Sequence, residues 1–128
     1  MKSNTTFLRR VLIADAAASA ATGLLMLLAA GPLEHWLAIP AGLLRAAGAS
    51  LIPFAALVAW LALRETVSRA GVLTVIALNV LWVVDSVALL FTGWVQPAML
   101  GYTFVLAQAA AVAVLAELEY VGLRRATV

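Results

Sequence analysis

The chain has no cysteine and only one histidine among its 128 residues. Without cysteine, disulfides, thiolate metal sites and dithiol redox chemistry are all excluded. A single histidine also excludes a haem that is held by two histidines of one chain. We therefore predict neither a bound metal nor any other cofactor.

Charged residues are scarce as well. They make up 11% of the chain, whereas 66% of the residues are hydrophobic and the mean hydropathy is +1.10. A soluble domain usually has about 25% charged residues. The sequence thus predicts one integral membrane domain, with the lipid bilayer as its surroundings. The basic residues lie at the ends of apolar runs and form no patch, so we expect no nucleic-acid partner.

Four apolar runs are long enough to cross about 30 Å of hydrocarbon. They cover about residues 11–30, 43–63, 72–91 and 100–118. Short connections make consecutive helices antiparallel. The predicted fold is therefore all-α: a single domain over 1–128 that forms a polytopic, four-helix up-down transmembrane bundle.

The segment 31–42, between the first two runs, is interrupted by glycine and proline. Its apolar residues indicate a short amphipathic piece at the membrane interface, with Trp36 at the level of the headgroups. We expect His35 in this segment to be a solvated loop residue, although a ligand or a proton carrier is the alternative.

The first run also has a rival interpretation as a secretory signal, because a basic segment precedes it. The apolar core of such a signal is usually about 7–15 residues long. The run 11–30 is longer, and a cut near Asp15 would leave almost no apolar core before it. We therefore expect a first transmembrane helix.

Lysine and arginine are distributed unevenly between the two ends of the predicted helices. One side has Lys2, Arg9, Arg10, Arg64, Arg69, Arg124 and Arg125, and the other has only Arg45. Basic residues accumulate on the cytoplasmic side of membrane proteins. The distribution predicts a multi-pass protein of the cell (inner) membrane with both termini in the cytoplasm.

Eight side chains within or next to the predicted spans are candidates for binding a ligand or a proton. They are Asp15, Ser19, Thr22, Asn79, Trp82, Asp85, Gln108 and Glu119. Polar groups at membrane depth are costly unless they face protein or water. The sequence has no cluster of metal ligands, no nucleophile–base pair and no phosphate loop, so we predict no catalytic residue and disfavour an enzyme.

Asp15, Ser19 and Thr22 share one face of the first helix. A packing face in which the hydroxyl groups bond to neighbouring backbone explains Ser19 and Thr22. Asp15 is about one turn into the predicted span, and its carboxylate there requires a cation, a hydrogen-bond donor or a proton. Because a four-helix ring closes on its ends, we expect Asp15 to lie level with Glu119. Glu119 itself is predicted to be a solvated residue at a helix end.

Asn79 and Gln108 lie near the middles of the third and fourth runs. We expect their amides to bond across the helix interface, and fixing the helix register explains them better than ligand recognition does. The indole N–H of Trp82 needs an acceptor, which Asn79, Ser86 or Asp85 could supply.

Arg45 and Asp85 are predicted to form an ion pair near the outer leaflet. Each lies inside a predicted span at the end opposite the cytoplasmic arginines. A charge that is left alone at such a depth would be costly, whereas an arginine can extend towards the interface while its stem stays in the apolar layer.

Three segments, 10–15, 77–86 and 116–125, resemble those of small, uncharacterised bacterial four-helix integral membrane proteins, a resemblance that implies no activity. The arrangement of four helices is also similar to that of the DoxX-like families. The chain length, and the carboxylate of Asp15 on the first helix, resemble the small multidrug transporters. We do not assign the function of these transporters to this chain. Asp15 lies closer to the interface than their mechanism suggests, and the arginine bias disfavours the dual orientation that is common among them.

These observations lead to two functional hypotheses. The first is a binding or accessory protein that holds an apolar ligand or docks on another membrane protein. The second is a proton-coupled small-molecule transporter that forms homo-oligomers and uses Asp15 or Asp85 as its proton site. A transporter needs a polar cavity with access to both sides, whereas an accessory bundle can be packed shut at its centre.

Overall fold

The computed structural model describes residues 2–126, with side chains from Thr5 onward, and the regular secondary structure in this part of the chain is all helical. Its five helices are α1 Lys2–Leu28, α2 Ala30–Leu37, α3 Ala41–Leu63, α4 Arg69–Thr92 and α5 Met99–Arg125. Four of them, α1, α3, α4 and α5, are long and apolar enough to cross a membrane. The predicted all-α class with four such helices is confirmed.

Two of the helices extend well beyond the predicted apolar runs. The helix α1 begins at Lys2 rather than near residue 11, and α5 continues to Arg125 rather than ending near residue 118. Hydropathy locates the part of a helix that suits hydrocarbon, and it does not detect polar helical turns on either side of that part. As a result, Asp15 lies near the middle of α1, deeper than one turn from its start.

The helices α1 and α3 form the most extensive helix pair. They run antiparallel, and they approach closely where Gly23 faces Gly48. A Cβ atom added at Gly48 would lie 2.7 Å from the Gly23 carbonyl oxygen and 2.9 Å from the Leu27 amide nitrogen. Small residues that allow such backbone contact are a usual feature of membrane helix pairs.

The helix α5 joins this pair to α4. It packs against α1, where Gly122 lies beside Leu8, and also against α4, whereas α3 and α4 barely touch. The predicted contact between the first and last long helices is confirmed. The expectation that consecutive helices pack together is wrong for α3 and α4, because a cavity separates them.

Buried apolar side chains form two clusters, one towards each end of the bundle. Leu8, Leu12, Val58, Val72 and Leu123 belong to the first cluster. Met26, Leu33, Leu44, Leu51 and Val105 belong to the second. The polar residues predicted from the sequence lie between the two clusters along each helix, so both ends of the bundle are packed while its middle is not.

The segment predicted as an amphipathic interfacial piece contains the short helix α2. Leu33 and Leu37 are buried against the bundle, whereas Trp36 is 59% exposed. The helix ends at Ala38, whose φ of 56° is left-handed. The Leu37 carbonyl then accepts a hydrogen bond of 3.0 Å from the Ala98 amide, which fixes α2 beside the start of α5.

Arg9 closes the C-terminal end of α3. Its guanidinium donates a hydrogen bond of 2.8 Å to the carbonyl of Ala62, and further bonds to the carbonyls of Arg64 and Glu65. Carbonyl groups in the last turn of a helix have no partner within the helix. The sequence had suggested only a topological role for Arg9.

We predict that Gly48→Ala destabilises the bundle by about 1–3 kcal/mol, because the added methyl would be forced against backbone of α1. The measurement is unfolding of the purified protein in mixed micelles. The matched control is Gly42→Ala in the same helix, where an added Cβ meets nothing within 4 Å. Equal stability of the two variants would contradict the close α1–α3 approach.

Candidate functional site

A cavity of about 460 Å³ lies between the four long helices. It is lined by small and apolar side chains with several polar groups among them. The polar lining consists of Asp15, Ser19, Thr22, Ser50, Asn79, Asp85 and Gln108, and the aromatic lining consists of Phe54 and Trp82. Ligand pockets in proteins typically enclose about 300–1,000 Å³ and have this mostly apolar character.

The cavity lining is acidic. Asp15 and Asp85 contribute carboxyl groups from α1 and α4, and no lysine, arginine or histidine of the described residues lines the cavity. Asp85 is exposed, whereas Asp15 is only 1% exposed. An apolar cavity that contains carboxyl groups without a basic partner is suited to a cationic group.

Three polar side chains from three helices are fully buried together beside the cavity. Two of them, Asp15 and Asn79, also line it. Asp15 on α1, Asn79 on α4 and Glu119 on α5 are 1%, 3% and 0% exposed. We call this group the buried triad. Burial of this kind is unusual for carboxyl groups, which are almost never fully buried unless they are paired.

The Asn79 amide holds the buried triad together. Its Nδ2 donates a hydrogen bond of 2.8 Å to Asp15 Oδ2 and another of 2.9 Å to Glu119 Oε1. Ser19 Oγ donates a third bond, of 3.1 Å, to Asp15 Oδ1. Because one amide nitrogen bonds to both, the two carboxyl groups are neighbours. Glu119 Oε2 is buried and accepts no hydrogen bond from the residues that the structure describes.

Three arginines at this end of the bundle contact groups other than the buried triad. Arg9 bonds to carbonyls at the end of α3. Arg124 lies over the ring of Tyr120, and Arg125 lies over the ring of Phe7. Within residues 5–126, no ion pair to Asp15 or Glu119 is formed.

The structure brings the eight predicted site residues into one region. Asp15, Ser19, Thr22, Asn79, Trp82, Asp85 and Gln108 line the cavity. Glu119 does not line it but contacts Asn79, which does. The expectation that Asp15 and Glu119 lie level is confirmed. The expectation that Glu119 is solvated is wrong, because α5 continues past it to Arg125 and its side chain is buried against Asn79 of α4.

Three of the predicted contacts are not formed. Asn79 donates to the two carboxyl groups rather than bonding to Gln108. The indole nitrogen of Trp82 is buried and has no acceptor among the residues that the structure describes. In the same part of the chain, Arg45 and Asp85 form no ion pair. Both are exposed, and their helices α3 and α4 are held apart around the cavity.

Sequence reasoning missed the contribution of α3 to the site. Ser50, Pro53, Phe54 and Leu57 line the cavity from this helix. The sequence signal was Pro53 inside a spanning run with Ser50 one turn before it, which marks an irregular, partly polar face. No group of three or more histidine, aspartate or glutamate side chains within the described range is placed to hold a metal ion.

We predict that Asn79→Leu lowers the free energy of unfolding substantially, because two buried carboxyl oxygens lose their donor and each costs about 1–3 kcal/mol. Gln108→Leu, the matched amide-to-leucine change on α5, should cost much less, since Gln108 makes no hydrogen bond in the described structure. Unfolding in mixed micelles measures both variants. Losses of the same size would instead support the Asn79–Gln108 bond.

Comparison with known proteins finds no family for this chain. No protein-family model matches it, and no curated protein or solved structure matches it either. The resemblances drawn from the sequence segments therefore stay predictions.

Proposed function

We propose that this chain is an integral membrane protein that binds a small, largely apolar molecule with a cationic group in its central cavity. The observation that carries the proposal is the cavity itself, whose apolar wall contains two carboxyl groups and no basic side chain among the described residues. An accessory bundle that only docks on a partner would not require carboxyl groups in the wall of a central cavity.

The chemistry of the lining supports a cation rather than an anion or a neutral molecule. A carboxylate in an apolar wall is costly when it is left alone, and an opposite charge in the ligand offsets that cost. Phe54 and Trp82 also line the cavity, and aromatic faces attract cations. The remaining wall, which includes Leu51, Leu57 and Leu115, suits the apolar part of the same ligand.

The second candidate function is a proton-coupled transporter, and one observation favours it. Asp15 lines the cavity and is linked through Asn79 to the buried Glu119, so a ligand in the cavity would meet a carboxyl group that belongs to a larger buried cluster. Transport would require the cavity to open to each side of the membrane in turn. Net uptake of the ligand into sealed vesicles separates this function from simple binding.

The proposed topology is an up-down bundle in the inner membrane with both termini in the cytoplasm. It is supported by the antiparallel contact of α1 with α3 and by the positions of the basic residues. Reporter fusions after Val128 and within the segment 38–40 should report opposite sides of the membrane. The same side for both fusions would contradict the proposal.

We predict that the purified protein binds tetraphenylphosphonium and not tetraphenylborate, which has the same shape and the opposite charge. Asp85→Asn should weaken tetraphenylphosphonium binding about tenfold, which corresponds to about 1.4 kcal/mol. Titration calorimetry against empty micelles measures this. Glu117→Gln is the control, because Glu117 lines a different groove, between α4 and α5.

A second pair of variants tests the location of binding. Ala111→Phe places a ring in the central cavity, whereas Ala113→Phe places the same ring in the outer groove. Only the first should abolish tetraphenylphosphonium binding. Preference for the borate, or loss of binding in Ala113→Phe alone, would overturn the proposed function.

A further inference from the structure

We propose that Asp15 and Glu119 together bind one proton, which Glu119 Oε2 carries and donates to the carboxyl group of Asp15. The site is built entirely from side chains of the buried triad. It does not depend on what the cavity binds, and it would exist in a bundle that binds nothing else.

The hydrogen-bond donors around the two carboxyl groups are one too few for their four oxygens. The two carboxyl groups have four oxygens, and three of them accept one hydrogen bond each, two from Asn79 and one from Ser19. The fourth, Glu119 Oε2, has no donor within the described part of the chain, although Glu119 is 0% exposed. Buried polar atoms almost always have a partner. A proton on this oxygen converts it from an unsatisfied acceptor into a donor.

The partner for that proton is already in place. The carboxyl groups of Asp15 and Glu119 bond to the same nitrogen atom of Asn79, at 2.8 Å and 2.9 Å, so the two groups are neighbours. Two ionised carboxylates can only accept hydrogen bonds, so a bond between them requires that one is protonated. Carboxyl pairs that share a site and a proton in this way are a known solution to like-charge repulsion.

Among the side chains that the structure describes, no cation bonds to either carboxyl group. From α1, Arg9 is directed to the end of α3, and from α5, Arg124 and Arg125 lie over aromatic rings. The described part of α3 contributes no titratable side chain to the cavity wall. From α4, the titratable group that lines the cavity is Asp85, a further acid about 9 Å along the helix from Asn79.

Two other charged groups near this end of the bundle contact other surfaces. Glu117 lies in the groove on the opposite face of α5, and Arg64 lies over the ring of Trp60. The cavity reaches Asp15 but not Glu119. A proton that exchanges between Glu119 and the cavity therefore passes through Asp15, which makes Asp15 the accessible member of the pair.

The test is infrared spectroscopy of the full chain in lipid nanodiscs at neutral pH, where ordinary carboxyl groups, with pKa values of about 4, are ionised. We expect one protonated carboxyl band per chain, recognised by its shift in heavy water. Glu119→Gln should abolish the band, because the introduced amide supplies an N–H to Asp15 in place of the proton. Asp85→Asn, the matched control, should keep it.

A further variant tests whether the proton is shared. Asp15→Asn replaces a charged acceptor with a neutral one, so the Glu119 band should move to higher frequency. Circular dichroism and gel filtration verify that each variant is folded. The proposal is overturned if the wild-type chain lacks the band, if the band persists in Glu119→Gln, or if its frequency is unchanged in Asp15→Asn. None of these outcomes depends on tetraphenylphosphonium binding.

Discussion

The two hydrogen bonds from the Asn79 amide are the interaction on which the centre of this bundle depends. One side chain of α4 reaches a carboxyl group of α1 and a carboxyl group of α5. These bonds fix the positions of three helices relative to one another along the bundle axis. Packing of small residues alone would allow the helices to shift along that axis. They also supply a donor to each of the two buried carboxyl groups, which lowers the free-energy cost of burying two acids in an apolar protein.

The middle of the bundle is polar, whereas its two ends are packed by apolar clusters. Thr22, Asp85 and Gln108 line the cavity there, and leucine and valine packed against them would remove them from water without supplying a partner. Two like charges about 4 Å apart repel by about 4 kcal/mol at an effective dielectric constant of about 20. A proton within the buried triad would remove such repulsion between Asp15 and Glu119, and a cationic ligand would separately offset the negative charge that remains on the cavity lining.

Much of this arrangement could be predicted from the sequence. The four spanning helices follow from apolar runs of sufficient length, and the importance of Asp15 and Asn79 follows from the cost of polar groups in such runs. The burial of Glu119 could not be predicted, since it lies past the end of its apolar run and beside arginines that suggest water. The partner of Asn79 was missed because register across three helices depends on packing, and single-sequence periodicity does not specify it.

The central claim is that one amide of Asn79 contacts both carboxyl groups. Solid-state NMR tests it most directly, with nitrogen-15 in asparagine side chains and carbon-13 in the carboxyl groups of aspartate and glutamate. The account predicts that the Asn79 amide nitrogen, assigned by its loss in Asn79→Leu, transfers magnetisation to one aspartate and one glutamate carboxyl carbon. Each of these contacts should vanish separately in Asp15→Asn and in Glu119→Gln. Transfer to a single carboxyl carbon, or to none, would contradict the account.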